Sequence, residues 1–152
     1  ESQLDRFSMC LKVGYPDEAS EREIIRSGTA DAVEDLEPVL TVRDVERMQE
    51  LARTVRVEED LVSYILSIAG RTRSHRGIRL GVSPRATKTL YIAAQSFALT
   101  SGRNYCIPDD IKSLAVPVLA HRVIPSERAA DEGVEGTRPL IEEILREVNV
   151  PV

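Results

Sequence analysis

The chain has 152 residues, 42% of them apolar but only 4% aromatic, no tryptophan, and a net charge of −5. That length suits one medium domain, or a small domain with a fragment of another. A core so poor in aromatics is built from Leu, Ile, Val and Ala, which suits packed helices better than a β-sandwich. The apolar run from Leu61 to Gly70 is far too short to span a bilayer. The opening Glu-Ser-Gln-Leu-Asp-Arg has no basic-then-apolar leader, and Cys10 and Cys106 have no metal-ligand spacing, so a cytoplasmic protein with reduced thiols is expected.

The charge is unevenly spread. Residues 1–60 carry 16 acids and 8 bases, residues 61–108 carry no acid and seven bases, and residues 109–152 carry 9 acids and 5 bases. The middle block (Arg71, Arg73, Arg76, Arg79, Arg85, Lys88, Arg103) needs a negative partner. An acidic face of the same fold, nucleic acid, or a phosphorylated ligand would each serve.

In chain order, Ser2 to Phe7 reads as a short helical or turn segment, with Leu4 and Phe7 pinning one face and Asp5 and Arg6 projecting. Met9 to Val13 reads as a strand, the edge of a sheet whose other strands lie upstream of residue 1. Asp17 to Ser27 predicts a short acidic helix with Ile24 and Ile25 inward, stopped by Gly28. Residues 29–40 read as a connector. Thr41 and Asp44 resemble a capping box, opening an amphipathic helix on Val45, Met48, Leu51, Ala52 and Val55. A second helix, about Glu58 to Thr72, carries Leu61, Val62, Ile65, Leu66, Ile68 and Ala69 around most of its circumference and is expected to be central.

Ser74 to Val82 reads as a basic loop. Ser83 is then an N-cap, Pro84 occupies the first helical position, and Arg85 lies in the first turn. The helix macrodipole disfavours a cation there, which favours an anion above it. Ala86, Leu90, Ala93, Ala94 and Phe97 form the buried stripe of this helix, which ends near Ser101-Gly102. Pro108 starts the next helix with Ile111, Leu114, Ala115, Val118 and Leu119 inward; Ile107 cannot cap it, and Pro117 bends or shortens it. His121 to Pro125 is expected to be extended and to pair with Ile78 to Leu80. Ser126 to Gly136 reads as a loop, and a last helix begins around Pro139. His75 and His121 lie in no metal-ligand spacing and are given surface or structural roles. No Gly-x-x-x-x-Gly-Lys-Ser/Thr loop is present, so a complete phosphate cradle is absent from this chain.

Three blocks carry a family resemblance: Glu1-Ser-Gln-Leu-Asp-Arg-Phe with the segment to Pro16; Arg79-Leu-Gly-Val-Ser-Pro-Arg-Ala-Thr87; and Pro108-Asp-Asp-Ile-Lys112 with Val118-Leu-Ala-His-Arg122. In order and spacing the chain resembles the end of the ATPase core plus the helical lid of MoxR-type AAA+ proteins. The resemblance implies a mainly α fold: a core remnant of one strand and one helix over residues 1–28, a connector over 29–40, and a helical bundle lid over 41–152. It implies that Arg85 is the sensor 2 arginine, with Ser83 and Pro84 beside it at the nucleotide, and that Arg6 is an arginine finger offered to ATP bound by the neighbouring subunit of a ring. Guanidinium groups suit both roles, because they stabilise charge on a transferring phosphoryl group.

ATP and Mg2+ are thereby implied for a longer parent protein, with neither held tightly by this chain, which lacks the phosphate-binding loop and is expected to be inactive alone. A homo-oligomeric ring (a hexamer), chaperone-like remodelling or cofactor insertion into partner proteins, and a von Willebrand A-domain partner are implied in the same way. The alternative is a non-enzymatic helical module that binds nucleic acid or protein through the basic stretch 71–88. Against nucleic acid, Tyr91 and Phe97 fall within the apolar helix and form no stacking platform.

Overall fold

The computed structural model describes residues 4–27, 36–126 and 133–151. Its elements are a 3-10 turn at Leu4–Arg6, α1 (Glu18–Ser27), α2 (Val42–Thr54), α3 (Glu59–Ser74), β1 (Ile78–Leu80), α4 (Pro84–Thr100) and α5 (Pro108–Leu119). A second 3-10 turn (Ala120–Arg122), β2 (Ile124–Pro125) and α6 (Gly133–Glu147) complete it. The protein is mainly α, as the sequence predicts. The expected helix stop at Gly28 and the connector as far as residue 35 lie outside the described residues.

The bundle is organised around α4, against which α2, α3 and α5 all pack. This corrects the expectation that α3 is central. Ala86, Leu90, Ala94 and Ala98 are buried along α4, and the three alanines let neighbouring helices approach closely, while Phe97 turns partly outward. Ile68 of α3, Ile111 and Leu119 of α5, and Ile141 and Ile144 of α6 fill the core. On α3, Leu66 points to solvent and Tyr64 is buried in the core instead.

The Thr41–Asp44 capping box is complete: the Asp44 amide donates to Thr41 Oγ1 at 3.2 Å, and the Thr41 amide donates to Asp44 Oδ2 at 2.9 Å. Of the predicted α2 stripe only Ala52 and Val55 are buried; Val45, Met48 and Leu51 stay exposed, because α2 buries only its C-terminal end. Gln95 Nε2 donates to the Val55 carbonyl at 2.8 Å, tying that end to α4.

Of the His121 to Pro125 segment expected to be extended, only Ile124–Pro125 pairs with β1, antiparallel, with Ile78 opposite Pro125 and Leu80 opposite Ile124; His121 and Arg122 lie in the second 3-10 turn instead. The N-terminal segment differs from expectation. Residues 9–16 form no strand; the Cys10 amide instead donates to the Pro117 carbonyl at 2.8 Å, and Met9 packs against the core. A strand exists only through a ladder partner, and none is present among the described residues. Ile24 and Ile25 of α1 are exposed rather than inward for the same lack of a packing neighbour. The last helix begins at Gly133, not near Pro139, which the helix accommodates internally. Pro117 is likewise accommodated near the end of α5, where the chain tightens into the second 3-10 turn.

The start of α5 solves the missing cap in a way that local sequence signals do not indicate. Asp110, buried at the third helical position, accepts the Ile107 amide at 2.9 Å, half of a capping box. The same carboxylate takes a bidentate pair from Arg103 at 2.8 and 2.6 Å. Asp110 thereby satisfies an orphan amide and its own charge together, and the bond to it raises the Arg103 pKa. Beside this pair, burial, with Asp110 adding to it, pushes the Cys106 thiol up to about 11, while Cys10 is exposed. Maleimide titration at pH 8 is therefore expected to find one reactive thiol in the native chain and two in guanidinium.

Candidate functional site

The turn entering α4 is fixed by the last turn of α3. Gly81 passes so close that a Cβ there would lie 2.7 Å from the backbone N and Cα of Arg73. The Val82 amide donates to the buried Thr72 Oγ1 at 3.1 Å, and the Val82 carbonyl accepts from Arg73 Nε at 3.0 Å. This sets the direction in which Ser83, Pro84 and Arg85 leave.

Ser83 caps α4 as predicted: its Oγ accepts the Ala86 amide at 3.2 Å. Pro84 occupies the first turn, and Arg85 is exposed. Among the described residues Arg85 has no ion-pair partner and α4 has no acid in its first turn.

The acid-free block finds only part of its counter-charge inside the fold. Arg71 Nε donates to Glu147 at 2.7 Å, Arg103 pairs with Asp110, and His75 lies 3.7 Å from Glu143. Arg76, Arg79, Arg85 and Lys88 are exposed and make no ion pair among the described residues. The unmatched positive charge therefore lies on and around the β1–α4 turn, the surface best suited to an anion.

The 3-10 turn that carries Arg6 docks on this same corner. Arg6 is exposed as expected, but Asp5 is not projecting and Leu4 and Phe7 do not pin the turn; Phe7 is 62% exposed. Asp5 turns inward, where Ser83 Oγ donates toward its two oxygens at 3.3 and 3.4 Å. Arg122 Nε lies 3.8 Å from Asp5 Oδ1, and Arg122 Nη2 donates to the Phe7 carbonyl at 2.6 Å. His121 Nε2 lies 3.0 Å from that carbonyl and 3.2 Å from Arg122 Nε. One ring nitrogen cannot serve both: it donates to Phe7, leaving Arg122 Nε to Asp5, or it accepts from Arg122. Burial lowers the Arg122 pKa, Asp5 opposes that, and the nearby charge of Arg85 adds to it. The structure thus brings Arg85, Ser83, Asp5 and Arg122 into one electrostatic neighbourhood. Sequence spacing carries no signal for Asp5 or Arg122, since their contacts join segments 78 residues apart or more.

Both histidines are buried and structural, and among the described residues no three His, Cys, Asp or Glu side chains are grouped to hold a metal. Among the described residues no helix is long and apolar enough to cross a membrane.

A protein-family profile described as the AAA lid domain matches residues 70–144. The chain is 39% identical over its whole length to the uncharacterized protein YeaC of Bacillus subtilis, covering 48% of that protein. It is 36% identical over 87% of its length to Chaperone MoxR1 of Mycobacterium tuberculosis, covering 37% of it. The structure superposes with a TM-score of 0.87 on a candidate ATPase from Cytophaga hutchinsonii, 32% identical, covering 99% of this chain and 48% of that one. The chain therefore spans about half the length of these relatives or less.

The two glycines flanking the α3 end separate the close approach from ordinary helix propensity. Gly81→Ala is expected to lower stability by about 1–3 kcal/mol through overpacking against α3. Gly70→Ala, with open space around its Cβ position inside α3, is expected to raise stability by about 0.5–1 kcal/mol. Urea unfolding with unchanged m-values reads both.

Proposed function

We propose that this chain, which belongs to the MoxR-type AAA+ proteins and carries their lid, is the part of a ring-forming ATPase that senses nucleotide through Arg85 and offers Arg6 to a neighbouring subunit. The observation that carries this reading is Arg85 itself: an exposed guanidinium with no acidic partner among the described residues, opening a capped helix at its positive end. Such a cation is held at an electrostatic disadvantage that a phosphate group removes. Ser83 and Pro84 fix the direction of that helix start, and the Ser83 hydroxyl is already engaged by the cap and Asp5. Arg6 is exposed on a turn docked beside it, free to reach outward from the subunit.

The rest of the catalytic centre belongs to the longer protein in this reading. Residues 1–28 belong to its core, 29–40 connect, and 41–152 form the lid. The chain contains no Gly-x-x-x-x-Gly-Lys-Ser/Thr loop, so in this reading the chain alone is expected to be inactive towards ATP. In this reading hydrolysis in a hexameric ring drives remodelling of, or cofactor insertion into, client proteins in the cytoplasm, with a von Willebrand A-domain protein as partner; of this, the name of one relative supports only a chaperone role.

ATP hydrolysis by the full-length protein tests this. Arg6→Ala is expected to lower kcat by about 10³-fold or more, and Arg85→Ala to abolish turnover as well. Mixing Arg6→Ala subunits with subunits mutated in the nucleotide site is expected to restore part of the rate, because each supplies what the other lacks. Hydrolysis untouched by either substitution would overturn the reading. A steep fall of oligonucleotide affinity with salt would then favour a nucleic-acid-binding module on the 71–88 stretch.

A further inference from the structure

The turn bearing Arg6 is attached almost entirely by polar groups. Leu4 and Phe7 leave much of their surface in water, so little apolar burial holds it. Arg122, by contrast, has a side chain only 2% exposed, and its counter-charge among the described residues is Asp5 on that very turn. Burying a guanidinium is costly unless its partners are well placed, and an apolar side chain would fill the same corner at lower cost. Packing alone does not account for arginine at this place. What the guanidinium adds is a grip on two separate groups, the Asp5 carboxylate and the Phe7 carbonyl, on either side of Arg6. From the other side Ser83, two residues before Arg85, holds the same carboxylate.

We propose that Asp5, Ser83 and Arg122 form a positioning clamp that joins Arg6 to the start of α4, so that a shift of α4 on anion binding at Arg85 is delivered to Arg6. The inference rests on the roles proposed above for Arg6 and Arg85, and adds that the two are mechanically coupled within one subunit. Arg122 and Asp5 are positioning residues: neither meets the nucleotide, and both act through Arg6.

A double-mutant cycle in the full-length protein tests the clamp, with steady-state kcat, single-turnover rates, and affinity for a fluorescent ATP analogue as readouts. Arg122→Gln is expected to lower kcat about 10- to 100-fold, the effect of misplacing a catalytic group by ~1 Å, while nucleotide affinity stays within about threefold. In an Arg6→Ala background the same change is expected to add nothing to the residual single-turnover rate, because the group it positions is gone. Asp5→Asn, on a more exposed side chain, is expected to repeat this pattern and carries the test if Arg122→Gln fails to fold by thermal melting. Multiplying effects of Arg6→Ala and the clamp substitutions, or an unchanged kcat when Arg6→Ala is inactive, would overturn the clamp and leave the proposed function standing. An active Arg6→Ala protein would overturn both.

Discussion

The backbone at Gly81 and Val82, fastened to the final turn of α3, is the constraint on which the rest of the molecule depends. Two hydrogen bonds and one contact too close for a side chain fix where α4 begins and which way it points. Because α2, α3 and α5 all lean on α4, the same constraint sets the register of the bundle core. It also places Ser83 and Arg85 at the corner where the second 3-10 turn arrives from α5. A cap, a helix direction and an electrostatic site thus follow from one short stretch of backbone.

The polar groups of the protein fall into two kinds. Arg103 with Asp110 forms a closed set, in which the carboxylate is satisfied by a guanidinium and a backbone amide, and the pair seals the start of α5. Arg122 belongs to an open set: its Nη1 and the Nδ1 of His121 are buried without a partner among the described residues. A half-satisfied buried network carries a standing penalty in a low-dielectric interior. Such a cost is tolerated where a group does something besides holding the fold together.

Much of the bundle was legible in the sequence because its signals are local. Helix starts at Thr41 and Ser83, the stop at Gly102 with its φ of +76°, and the inward face of α5 follow from periodicity and capping chemistry within a few residues. The segments whose structure departs from their local signals depend on distant partners. The alternation of Met9 to Val13 describes a strand that has no ladder among the described residues, and the α2 stripe describes a face of which only one end is covered. Among site residues, Arg85 and Ser83 could be singled out because a helix start is a local event. Asp5 and Arg122 could not, because an aspartate in a turn and an arginine after a helix look the same whether or not they meet across the fold.

The Ser83–Asp5 bond spans 78 residues of sequence, and the Arg122–Phe7 bond spans 115. Closing loops of that length is entropically costly, so these contacts are expected to form after the local helices have assembled the surface that receives them. They also bury little apolar area, and the free energy needed to release the Leu4–Phe7 segment is therefore well below that of melting the bundle. By this argument the turn that presents Arg6 is expected to open locally on a folded platform, so that its amides exchange hydrogen before those of α4.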